Sequence, residues 1–194
     1  VARAQPEDTL ATVEAEARRL GAEVVGEGNP HAAMMLVGEA PGQREVEQGH
    51  PFVGPAGVVL QRLLDRLAIP RAALWITNIV KLRPVRETSR RATNRPPRAS
   101  EVDVFRPIVE REIALVRPKV IVCLGAVAAS GLIHPDFRIQ AERGRWFPGP
   151  VGAQLLATYH PSYLLRLTGP DYEQARDAML ADLSLAWGEA NSGS

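Results

Sequence analysis

An α/β fold, with parallel strands and helices on both faces, is what the sequence predicts, and three observations carry the prediction. Short, largely apolar runs recur at 32–37, 74–80, 119–124 and 154–158, the second of them β-branched and aromatic. Between them lie stretches with apolar residues at helical spacing, and this alternation is the pattern of βαβ units. Aromatic residues make up 5% of the chain against 45% hydrophobic in all, so Ala, Val and Leu dominate, which suits helix-on-sheet packing better than a sandwich. The 194 residues suffice for one domain with a full core, expected over about residues 9–188.

Taken in order, Thr9 caps a helix over 10–20 that ends at Gly21. Residues 32–37 form the first strand and run into a turn-rich loop. Val59, Leu60, Leu63, Leu64 and Leu67 share one face of a helix over 58–67, and Pro70 follows its end. The second strand is 74–80. Residues 82–99 are too polar and proline-rich for a regular element. Ser100 then caps a helix to about Val116, with Asp103 in a capping-box position and Pro107 setting a kink or a later start. The third strand, 119–124, turns at Gly125-Ala126 into a short helix. Residues 134–152 are irregular or hold an edge hairpin, 154–158 is the fourth strand, and a helix over 171–187 closes the chain.

Cys123 is the only cysteine, so a disulfide framework and a multi-cysteine metal site are both excluded within one chain. No apolar run is long enough for a membrane helix, and no secretory h-region opens the chain, so a cytoplasmic, monomeric protein is expected. Net charge is only +1, but Lys81, Arg83, Arg86, Arg90, Arg91, Arg95 and Arg98 cluster against Glu87 alone. Such a block either attracts phosphate or is a solvated loop.

Right-handed crossovers place all strand-end loops on one rim. That gathers Glu39, Phe52, Asn78, Gly125 and His160, where open α/β sheets hold their ligands. Asn78 offers the fixed donors and acceptor that suit the lactam edge of a pyrimidine, or it is a strand-end turn residue. Phe52, between Pro51 and Gly54, is a stacking platform or a core side chain. Gly125 and Ala126 begin a helix where backbone N–H groups favour phosphate. His160 can donate to a developing anion, Ser162 can bond phosphate, Tyr163 or Leu164 can wedge into a base stack, and Arg166 can hold the backbone. Alone, His160 reads as well as a structural histidine. Together with the basic loop, the group points to a nucleic acid with one base lifted out.

GEAPG at 38–42, Glu45, GHPFVGPAG at 49–57, TNIVK at 77–81, RPKVIVCLGA at 117–126 and YHPSYLLR at 159–166 together resemble the uracil-DNA glycosylase superfamily, most closely its family 4. The resemblance implies a three-layer α/β/α sandwich with a four-stranded parallel sheet. It implies release of uracil from uracil-containing DNA, single- or double-stranded, leaving an abasic site. It gives Glu39 and His160 catalytic roles, and places Ala40, Gly42, Phe52 and Asn78 around uracil. The DNA contacts then fall to Gly125, Ala126, Ser162, Tyr163, Leu164 as wedge, and Arg166, with Arg86, Arg90 and Arg91 from the basic loop. Such an enzyme is expected at the nucleoid when acting.

Four departures qualify the match. Family 4 members usually hold a four-cysteine iron–sulfur cluster, but its positions fall at Leu82 and Phe105 and the N-terminal cysteine pair is missing, so no metal and no cofactor are expected. Ala40 stands where the most active relatives have aspartate, which leaves water activation open among Glu39, Glu45 and Glu47. No histidine stands in the basic loop, where a related branch traps its product, and Asn94 sits near that place, so turnover is expected. Without a tyrosine at the usual place, Gly42 or nearby backbone is left to exclude thymine. A non-catalytic binder of uracil-containing or abasic DNA is the alternative; a P-loop hydrolase lacks its GxxxxGK[ST] signature.

Overall fold

The computed structural model describes residues 8–87 and 92–192. Helix α1 (Leu10–Arg19) starts at Thr9, whose hydroxyl accepts from the Thr12 N–H at 3.1 Å while the Thr12 hydroxyl accepts from the Thr9 N–H at 2.9 Å. Two short elements lead on: β1 (Glu27–Gly28), then β2 (Met34–Gly38), every residue of which is buried. Next come α2 (Gln43–Gln48), α3 (Pro55–Arg66) and β3 (Trp75–Asn78). The proline-rich stretch contains a small hairpin, β4 (Val85–Glu87) with β5 (Ala92–Asn94). The second half runs α4 (Ala99–Val116), β6 (Val120–Leu124), α5 (Ala126–Leu132), α6 (Ile139–Glu142), β7 (Trp146–Pro148), β8 (Gln154–Thr158), α7 (Pro161–Leu164) and α8 (Gly169–Asn191).

The central sheet has the order β1-β3-β2-β6-β8-β7. Its four inner strands are parallel, as the sequence predicts, but antiparallel β1 and β7 extend it to six strands. β1, two residues ending in glycine, is not legible as a strand; β7, three residues ending in a proline tolerated only at an edge, pairs antiparallel with β8 and is the edge-hairpin strand that the sequence offers within residues 134–152.

Alternate strand residues feed two separate cores. Met35, Val37, Ile121, Cys123 and Ala157 pack under α1, α4 and α5; Met34, Leu36, Val122, Leu124 and Leu156 pack under α3 and α8. This gives the three-layer sandwich. Helix α4 starts two residues earlier than Ser100 as its cap predicts: the Arg98 N–H donates to the Glu101 carboxylate at 2.7 Å, so Glu101 and not Asp103 closes the capping box. Pro107 lies inside that helix, where Asp103 and Pro107 are both exposed, so the carbonyl left without a partner faces water.

Beneath β3, Lys81 is fully buried and donates to the Glu112 carboxylate at 2.9 Å and the Thr77 hydroxyl at 2.7 Å. Arg111 on α4 binds Asp8 and Glu16, which fixes the N-terminal helix to the sandwich. Among the described residues no helix is long and apolar enough to cross a membrane.

Candidate active site at the strand ends

The carboxyl ends of β2, β3 and β8 open into a cleft of about 880 Å³. Glu39 follows β2, Asn78 ends β3, and His160 stands two residues past β8; all three line the cleft, with Ala40, Gly42, Phe52, Ser162 and Arg166. Parallel pairing brings Gly38 level with Asn78, which sets the two loops side by side.

Phe52 is the floor. It is buried, its φ of 53° lies in the left-handed region, and its ring sits 5.9 Å from the His160 ring at a tilt of 33°. A bulky side chain holds such a φ only where its surroundings fix it. Arg71 supplies part of that support, donating to the Pro51 carbonyl at 2.6 Å and the Phe52 carbonyl at 3.4 Å, and Glu27 stands 3.8 Å from the same guanidinium. Gly38 makes the arrangement possible: a Cβ there would lie 2.8 Å from Phe52 Cε2, and closer still to Phe52 Cζ and Asn78 Oδ1. The Asn78 amide oxygen is buried with no hydrogen-bond partner.

The His160 ring is oriented by its own turn. Nδ1 accepts from the Ser162 N–H at 3.2 Å and lies 2.8 Å from the Ser162 hydroxyl. A backbone N–H can only donate, so Nδ1 carries no proton and the neutral ring bears its hydrogen on Nε2. Burial, reinforced by the Arg166 charge, lowers its pKa to about 4. Burial pushes the Glu39 carboxyl above its usual range, and Arg166 pulls the other way. The cleft therefore holds a half-buried carboxyl group, beside Arg166, together with an uncharged N–H donor.

The other two carboxylates are committed elsewhere. Glu45 is buried and accepts from the Val53 N–H at 3.1 Å and the Gly54 N–H at 2.7 Å, so it folds the Phe52 loop. Glu47 accepts from Gln43 at 2.7 Å along α2. Gly125 and Ala126 do not line the cleft; Gly125, at φ 96°, lies behind His160, where a Cβ would come within 2.9 Å of the histidine Cβ.

Leu164 corrects the wedge expectation. It is 2% exposed and packed in the α3/α8 core, whereas Leu165 is 53% exposed and lines the cleft. The tight turn of α7 sends one leucine inward and the next outward. Tyr163 is part-buried outside the cleft lining. Arg86 is exposed but also outside it, and Arg90 and Arg91 lie outside the described residues. Instead Arg44, Arg83 and Arg95 reach the cleft, with Asn94. Arg83 donates to Asn94 at 2.7 Å and Arg95 pairs with Glu101 at 2.6 Å, so the hairpin is braced as well as basic. Their spacing gives no periodic signal, since they meet through the hairpin.

The residues present do not fit a four-cysteine cluster. Phe105 is fully buried in the α4 core with Leu82 packed against it, and Cys123 is a buried strand residue whose thiol is pushed up to about 12. Among the described residues no group of three or more His, Cys, Asp or Glu side chains is placed to hold a metal.

A mostly parallel sheet with an aromatic floor and an amide, an imidazole and a carboxylate gathered at its strand ends defines a doubly wound α/β protein with its cleft beyond the carboxyl ends of the strands. The sequence model of the Uracil DNA glycosylase superfamily matches residues 25–184, and the chain belongs to that superfamily. It is 38% identical over 151 residues to a Type-4 uracil-DNA glycosylase of Pyrobaculum aerophilum, covering 74% of this chain and 73% of the relative. Over 144 residues it is 39% identical to the Type-4 uracil-DNA glycosylase of Thermotoga maritima, covering 74% and 71%. The Archaeoglobus fulgidus protein of the same name is 36% identical over 152 residues, covering 73% and 71%.

Proposed function

We propose that this protein takes deoxyuridine out of the DNA stack and hydrolyses its N-glycosidic bond, leaving free uracil and an abasic site. The observation that carries the reading is the meeting of Glu39, Phe52, Asn78 and His160 in one cleft, from four separate segments of the chain.

Uracil stacks on Phe52, and the Asn78 amide reads its lactam edge; cytosine, with donor and acceptor exchanged, is rejected. As the C1′–N1 bond breaks, the electron pair leaves with the base, and the uracil anion takes a hydrogen bond from His160 Nε2. The sugar left behind resembles an oxocarbenium ion. Of the three candidate carboxylates Glu39 is the one whose oxygens are not used to hold a loop or helix, so it stabilises that cation and orients water. The water oxygen bonds to C1′, its proton passes to Glu39 or solvent, and the uracil anion is protonated after release. Contacts that strengthen only as charge develops are the ones that accelerate bond breaking. Leu165, exposed at the cleft, fills the gap left by the flipped nucleotide, and Arg44, Arg83, Arg166 and Ser162 meet the phosphates.

The test is release of free uracil from single- and double-stranded uracil DNA with chelator present. Glu39→Gln, Asn78→Ala and His160→Ala are each expected to slow it by roughly 10²–10³-fold, the effect of one lost transition-state contact. Unchanged rates in all three would remove this site from consideration. Tight binding with no product at excess enzyme would favour the non-catalytic alternative.

A further inference from the structure

The turn that carries His160 serves two cavities. His160, Ser162, Leu165 and Arg166 line the cleft described above, while Tyr159, Tyr163 and Leu167 line a second cavity of about 360 Å³. Gln140, Arg143, Asp171 and Gln174 complete most of its wall.

Four side chains connect the two. The Arg166 guanidinium lies 5.7 Å from the centre of the Tyr163 ring. The Tyr163 ring lies 5.0 Å from the Tyr159 ring at 40°. Beyond it, Arg143 stands 5.2 Å from the centre of Tyr159. The result is a ladder of cation, ring, ring and cation that begins at the mouth of the first cleft and ends inside the second. Arg143 is held in place by Asp182 at 2.8 Å and by the Ala178 carbonyl at 2.9 Å, so the inner rung is fixed before any ligand arrives.

Aromatic faces flanked by arginine are the recurring platform for unpaired bases, since every base offers a π-face. The wall chemistry agrees. The Tyr159 hydroxyl donates to Gln140 Oε1 at 2.7 Å, which leaves the Gln140 N–H groups for a ligand, while Asp171 offers acceptors. Mixed donors and acceptors suit a base edge; a phosphate would meet the Asp171 charge.

We infer that the second cavity binds an unpaired nucleobase of the same DNA strand, next to the flipped nucleotide, against the Tyr159–Tyr163 pair. The inference rests on the reading of the first cleft as the pocket for flipped deoxyuridine. It makes base stacking one-sided: a base on one flank of the lesion packs against the tyrosine pair and adds more to binding than the other flank, which gains phosphate contacts alone.

The experiment uses single-stranded oligonucleotides with a non-hydrolysable 2′-fluoro deoxyuridine and a flank on the 5′ side, the 3′ side or both, titrated by fluorescence anisotropy. A 2-aminopurine beside the lesion reports stacking. For the wild-type protein one flank is expected to add about tenfold in affinity, with quenching of the 2-aminopurine on that side alone. Tyr159→Leu/Tyr163→Leu is expected to lose both the increment and the quenching, and Tyr159→Phe/Tyr163→Phe to keep them. If the leucine pair does not fold, Tyr163→Leu alone is compared with Tyr163→Phe. A leucine variant with the wild-type increment and quenching would overturn the inference, as would equal increments from both flanks in the wild type. Uracil release from hydrolysable oligonucleotides is followed in parallel. Release without flank dependence removes the second cavity and leaves the glycosylase reading intact; no release at all removes that reading instead.

Discussion

Gly38→Ala tests the geometry of the pocket without touching a reacting group. The added Cβ would sit 2.8 Å from Phe52 Cε2 and nearer to Phe52 Cζ and Asn78 Oδ1. Ordinary carbon contacts begin near 3.4 Å, so Phe52 Cε2 must retreat by about 0.6 Å, and the nearer Cζ and the amide oxygen by more. The strand itself resists movement, because β2 pairs on both sides with β3 and β6. The ring and amide therefore yield, on the order of 1 Å, which is enough to cost about 10²-fold in a positioned reaction. Overpacking is expected to lower stability by only about 1–3 kcal/mol. Single-turnover uracil release and thermal unfolding, measured on the same preparation, separate the two effects. A variant with a normal rate and an unchanged Tm would show that Phe52 and Asn78 are not held by Gly38, and the reasoning would fall.

Three further outcomes follow from the structure. Leu164→Ala is expected to lower stability by about 2–5 kcal/mol in urea unfolding, while Leu165→Ala leaves the unfolding midpoint alone and weakens excision from duplex DNA. Lys81→Met, which strands Glu112 in the interior, is expected to cost about 3–5 kcal/mol, and Lys81→Met/Glu112→Leu to recover most of it in the same assay. Because burial raises the Glu39 pKa while His160 stays neutral down to about 4, the acid limb of the rate profile belongs to Glu39 and falls above the usual carboxylate range. The folded state holds that proton more tightly than the unfolded chain, so Glu39 contributes stability at low pH that is lost as pH rises through its raised value. Glu39→Gln is accordingly expected to abolish the acid limb and to raise Tm at neutral pH.

The four inner strands were legible because each is a short, almost wholly buried run that breaks off into turn residues, and Glu39, Asn78 and His160 stand at or just past the ends of three of them. At the edges, β7 was legible only as one of two readings of residues 134–152, and β1 not at all, since two or three residues carry no alternation. The Leu164/Leu165 exchange was invisible for a different reason: on a helix of four residues, a rotation of one position decides which leucine meets solvent. Arg71 supporting Phe52, Arg95 bound to Glu101 and Arg143 over Tyr159 are tertiary meetings between distant or aperiodic positions, and no local pattern announces them. Glu45 was legible as a motif carboxylate, but only its two backbone N–H partners distinguish a loop anchor from a base.

The unpartnered Asn78 oxygen has a consequence for turnover. Within the protein no donor meets this oxygen, and Asn78 lines the cleft, so it is open to a donor that a ligand brings. On the proposed reading, free uracil brings an imide N–H able to supply that donor, so the product is expected to hold to the pocket after the bond is cut. Uracil alone is then expected to raise the unfolding temperature and to slow excision of the next lesion, and a Tm unchanged by added uracil would count against this use of Asn78.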